Sequence, residues 1–128
     1  MKAISAALIV GLLVAPMPAL AHHAFAAEFD SSKAVTVKGT VNKVEWTNPH
    51  IWIYVDMKDE SGNMVRWQCE GGSPNTLTRQ GWSRDSLKAG EQVTIEGFRA
   101  KNGTNTCNSR VVTTAEGKRL FAASSLGQ

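Results

Sequence analysis

From Ala34 onward the chain alternates apolar and polar residues with a period of two, broken by turn residues at short intervals, and this pattern restricts it to an all-β fold. The first strand is expected from about Ala34 to Trp46. Val35, Val37 and Val41 share one face before the phase moves to Val44 and Trp46, and with Gly39 close by this slip reads as a bulge that bends a long strand around a small barrel. Asn48-Pro49 makes a turn. A second strand, His50 to about Lys58, turns Ile51, Ile53, Val55 and Met57 inward and His50, Trp52, Tyr54 and Asp56 to the other face. Asp59 to Asn63 closes a hairpin onto a third strand, Met64 to Glu70, whose Val65, Trp67 and Cys69 share a face.

The pattern changes after Glu70-Gly71-Gly72. Ser73 is a good N-cap, Pro74 suits the first helical position and Gly81 can end the helix, so one short helix is expected there. A connection from Trp82 to Gly90 leads to a fourth strand, Gln92 to Ala100. The turn Lys101 to Thr104 leads to a fifth, about Ser109 to Thr114, and Glu116-Gly117 to a short sixth, Lys118 to Ala122. Three strands, a helix and two strands is the order of the OB-fold, a partly open Greek-key barrel, and five or six strands are too few for a sandwich. The expected fold is a small OB-like barrel of five to six strands with one short helix.

The segment before the barrel has a different character. Lys2 gives a positive n-region, Ala6 to Ala15 is almost wholly apolar, and Pro16 and Pro18 precede the small-x-small site Ala19-Leu20-Ala21, which is the pattern of a secretory signal cleaved after Ala21. The apolar run is too short to span a bilayer. Residues 1–21 are thus a signal peptide, 22–32 an N-terminal arm, 33–123 the barrel domain and 124–128 a flexible tail, and the protein is expected to be periplasmic with no membrane span after cleavage. Of the 14 Lys and Arg only Lys2 is lost, which leaves a nearly balanced charge against 11 Asp and Glu. The basic residues form no run, so a nucleic-acid partner is not expected.

Two cysteines, Cys69 and Cys107, suit a disulfide in an oxidising compartment; a soft metal site or a redox pair is the competing use, disfavoured because no C-x-x-C is present.

All three histidines stand at notable positions: His22 and His23 at the expected mature terminus, His50 at the start of the second strand. An N-terminal histidine offers its α-amine and ring nitrogen to one metal, and one further imidazole completes a T-shaped set that suits Cu(II). This resembles the histidine brace of copper oxygenases and copper carriers. His50 is the candidate second ligand and His23 an auxiliary one; against this, a His-His pair after a signal also serves as a polar leader, and His50 as a turn residue bonded only to backbone.

A second candidate site is the strand face of Trp52 and Tyr54 with Arg66 beside them, where OB-folds bind oligonucleotides and oligosaccharides. The alternative is that Phe25 and Phe29 of the arm cover those rings, which would also bring His22 near His50. The loop Glu70 to Asn75 is read as a tight strand-to-helix turn before an anion site. The acidic residues Glu28, Asp30, Asp56, Glu70, Asp85 and Glu96 show no partnering base.

His22-His23-Ala24-Phe25, Glu45-Trp46-Thr47-Asn48-Pro49-His50-Ile51-Trp52, Glu70-Gly71-Gly72-Ser73-Pro74-Asn75 and Gly97-Phe98-Arg99-Ala100 resemble a family of small exported bacterial proteins catalogued only as a domain of unknown function. The resemblance implies a periplasmic protein and brings no activity with it. The cysteines stand outside the family pattern and read as a local stabilising addition.

Together these features point to a periplasmic binding module and not an enzyme: a copper carrier or homeostasis module built on His22, His50 and His23, or a module for an envelope glycan or protein built on Trp52, Tyr54 and Arg66. An oxygen-activating copper enzyme is least favoured, because a chain this small has little room for a substrate platform and no second-shell acid is evident.

Overall fold

In the computed structural model the described residues follow a short helical turn at 25–28 with β1 (Phe29–Glu45), β2 (Trp52–Lys58), β3 (Met64–Glu70), α1 (Pro74–Arg79), β4 (Gln92–Ala100), β5 (Thr106–Thr114) and β6 (Arg119–Phe121). The structure describes residues 25–123. The expected signal peptide, His22, His23 and residues 124–128 lie outside the described residues. No helix among those described is long and apolar enough to cross a membrane.

The strands form one sheet in the order β3-β2-β1-β4-β5-β6, and a parallel pairing of β3 with β5 closes it into a ring. This is the OB-like barrel expected from the element order. Val37, Val41, Ile51, Ile53, Val55, Ile95 and Val112 fill its interior at no more than 1% exposure. Val37, Val41, Ile51, Ile53 and Val55 are the inward members of the expected alternation, and Ile95 and Val112 join them from β4 and β5.

β1 serves two neighbours. Ala34 to Thr40 pair with β4 and Thr40 to Glu45 with β2, with a register shift between Val41 and Lys43 that is the expected bulge. Gly39 has a different reason to be glycine: a β-carbon there would collide with the backbone carbonyl of Asp56 on β2. Gly39→Ala must displace that strand, and it is expected to destabilise the fold by about 2–3 kcal/mol. A lower urea midpoint at unchanged slope would report it.

Two boundaries differ from expectation by three residues or more. β1 begins at Phe29, inside the segment read as an arm, because Phe29 pairs with Ala100 and its ring is buried, while Asp30 to Lys33 stay polar and hide the strand. β5 begins at Thr106 because its first residues pair with β3, a contact distant in sequence. Cys69 and Cys107 face each other in that pairing and form a disulfide, both fully buried, with Cα atoms 4.5 Å apart.

α1 forms as its caps dictate: Ser73 Oγ accepts from Thr76 N at 3.2 Å, Pro74 takes the first turn, and Gly81 turns the chain out at φ +94. Its Leu77 is fully buried in the core. Trp82 joins that core, 3% exposed, and its indole N–H donates to Phe121 O at 2.8 Å, which ties the connection to β6.

Candidate functional site

The segment before β2 is held by backbone bonds on both sides of the strand-to-helix turn. Ile51 N donates to Gly72 O at 3.0 Å and Gly71 N to Ile51 O at 2.9 Å, while the Ile51 side chain is locked in the core. These bonds fix His50 beside the end of β3. Its Nδ1 lies 3.0 Å from Gly71 O and 3.2 Å from Glu70 Oε1. A carbonyl can only accept, so Nδ1 carries the proton in the neutral ring and the Nε2 lone pair is left free. The imidazole is 38% exposed and the Glu70 side chain 10%. The result is a histidine polarised from its buried side by a carboxylate and a carbonyl.

Burial pushes the Glu70 carboxyl above its ordinary range; the His50 ring opposes this, and the Glu28 carboxylate adds repulsion in the same direction as burial. Glu28 belongs to a helical turn at residues 25–28 whose carbonyl accepts from Lys101 N at 2.8 Å. The register relates that turn to Glu70. Trp52 lies opposite Glu70, Glu70 beside Asn108, and Asn108 opposite Phe98, so these four residues form one row across the outer face. Phe25 packs on Phe29 at 5.6 Å and edge-on to Phe98 at 6.2 Å, which seats the arm on that row.

This changes two sequence expectations. The arm's rings pack against Phe98 and not over Trp52 and Tyr54, because Phe29 pairs with β4 and carries the arm to that side. Glu70, read as an acid without a partnering base, is the partner of His50. The hairpin register carried the signal: with Asp59 to Asn63 as the turn, Trp52 falls opposite Glu70 and His50 beside the glycines that follow. The lack of a second-shell acid, one ground for setting aside oxygen activation, therefore does not hold; the small platform remains as a ground.

The other predicted residues form a neighbouring patch. Trp52 lies between Glu45 of β1 and Glu70 of β3, and Tyr54 between Lys43 and Gln68. Most polar groups of this patch engage each other. Arg66 forks onto Asp56 at 2.7 and 3.1 Å and holds that carboxyl below its usual range. Tyr54 donates to Glu45 at 3.2 Å, Lys43 meets the same carboxylate at 2.7 Å, and the Lys43 ammonium lies 4.6 Å above the Tyr54 ring. Trp52 is thus joined to His50 through Glu70, whereas Arg66 is committed elsewhere.

The glycine-rich loop is the expected tight turn. Gly71 N and Gly72 N donate to Ile51 O and Ala122 O, so neither is left to bind an anion. Among the described residues no group of three or more His, Cys, Asp and Glu is placed to hold a metal ion. His22 and His23, the other proposed ligands, lie outside them.

Fold and site together define a small OB-like barrel with a polarised, half-exposed histidine at the entry to its second strand. The chain matches the model of a family of unknown function (DUF6152) over residues 9–109 and belongs to that family. A search of curated proteins finds no match.

Proposed function

We propose that the protein is an exported, periplasmic, non-enzymatic Cu(II)-binding module with a carrier or homeostasis role. His22, freed by cleavage after Ala21, supplies its α-amine and ring nitrogen, His50 supplies Nε2, and His23 is an auxiliary ligand. One observation carries this: the Nδ1 contact of His50 with Gly71 O and Glu70. Metal-ligating imidazoles almost always donate their second N–H to a carbonyl or carboxylate, which fixes the tautomer and raises ligand basicity.

Two further observations support it. Glu28 O accepts from Lys101 N and Phe25 packs on Phe98, which stands in the same cross-strand row as Glu70, so the arm that follows the histidines is fastened to that row. Three residues of chain from His22 to Phe25 reach at most about 11 Å, enough to cross a neighbouring strand. The carboxylates of Glu28 and Glu70 also favour a cation there. Glu70→Ala is expected to weaken Cu(II) binding about tenfold, with Gly71 O still orienting the ring. Competition titration of the mature protein against a chelator measures it, and an unchanged affinity would count against the site.

The outer face of β2 and β3 supports a second function, binding of an envelope glycan or protein through Trp52, Tyr54 and Arg66. Half-buried aromatic rings on this face favour it. Tryptophan quenching by a glycan, lost in Trp52→Ala and kept in His50→Ala, would select it over copper.

A further inference from the structure

A groove of about 320 Å³ lies on the outside of the barrel where β1, β4 and β5 meet; it shares Phe98 with the seat of Phe25, and neither His50 nor Glu70 lines it. Ala34, Phe98 and Val111 give it an apolar lining, Glu96 lies directly opposite Val111, and Arg110 and Arg119 add two cations. Gly97 sits at the irregularity between β4 and β5, where Asn108 comes so close that a β-carbon would collide with its carbonyl oxygen. Val111 lies directly opposite Phe121 of β6, which is 71% exposed and continues the apolar lining to the edge of the sheet.

The two guanidiniums are differently held. Arg110 stacks over the Phe98 ring at 5.3 Å, which orients it along the apolar lining. Arg119 has a loose contact of 3.7 Å with Glu96, between side chains 66% and 50% exposed, a pair that contributes little and is readily exchanged. Two cations against one carboxylate leave the groove with a single positive charge, which matches a monoanion better than a phosphate dianion. The volume is at the lower end of small-ligand sites and suits one short chain.

We infer that this groove binds a medium-chain carboxylate, its alkyl chain on Phe98, Val111 and Phe121 and its head held by Arg119 with Arg110. Arginine forks fit carboxylate oxygens in pairs, and displacing Glu96 frees Arg119 for that fork.

The test is titration of isotopically labelled mature protein with decanoate below its micelle concentration, followed through backbone amide shifts. Shifts confined to Ala34, Gly97, Val111 and Phe121 are expected. Arg119→Gln and Thr36→Glu, both exposed changes beside the groove, should each weaken binding at least tenfold, as should replacing decanoate by decanol. No shifts at millimolar decanoate, or shifts centred on Trp52 and Tyr54, would overturn the proposal. Equal binding of decanol or of acetate would remove the charge or the apolar lining from it, and tighter binding of decyl phosphate would overturn the carboxylate assignment. His50→Ala should leave decanoate binding unchanged.

Discussion

Replacing His50 with alanine in protein that begins at His22 is expected to lower Cu(II) affinity by at least about a hundredfold, close to 2.7 kcal/mol. The magnitude follows from the ligand count. In a three-nitrogen set the amine and ring of His22 chelate from one residue, and His50, held just before β2, is the donor that closes the T-shape. Without it the ion keeps only what a floating N-terminus can offer. The fold should survive, because the ring is 38% exposed and the backbone bonds around Ile51 involve no His50 side-chain atom. Unchanged thermal unfolding with lost copper binding would therefore assign the effect to ligation. A loss no larger than that of Glu70→Ala would make His50 a bystander.

The second large effect concerns the seam of the barrel. Removing the disulfide as Cys69→Ala with Cys107→Ala should cost roughly 3–4 kcal/mol, since the bridge spans 38 residues and its loss frees the unfolded chain. The position adds to the cost. Both cysteines are fully buried in the parallel pairing of β3 with β5, the pairing that closes the ring. Truncating them leaves a cavity in a strand pairing only three residues long. Urea unfolding of the double variant beside the oxidised parent measures the difference. A change below about 1 kcal/mol would show that the hydrogen bonds of the seam suffice.

The parts of the fold that were legible in the sequence are those decided locally. Ile51, Ile53 and Val55 alternate into the core, the Met64–Glu70 strand falls where its pattern places it, and α1 obeys Ser73, Pro74 and Gly81. What was hidden depends on partners remote in sequence. Phe29 enters the sheet because Ala100 waits for it, and Thr106 because β3 does. Trp82, in a segment read as mere connection, is buried because its indole reaches Phe121 O.

The site divides in the same way. His50 was identified by its position, but its character comes from Glu70 and Gly71, which only the hairpin register and the strand-to-helix turn bring to it. Likewise Arg66 looked available beside Trp52 and Tyr54. Its cross-strand neighbour Asp56 holds it through Nε and one Nη.

The most direct measurement compares Cu(II) binding and its paramagnetic spectrum in two forms of the mature protein, one with a free His22 amine and one acetylated there. Acetylation is the right block, because an added residue would place histidine third in the chain and create a new chelate of amine, amides and imidazole. The free form should bind at least about a hundredfold more tightly, with nitrogen couplings that the acetylated form lacks. Equal affinity and identical spectra in the two forms would contradict copper capture by the terminal histidine and His50.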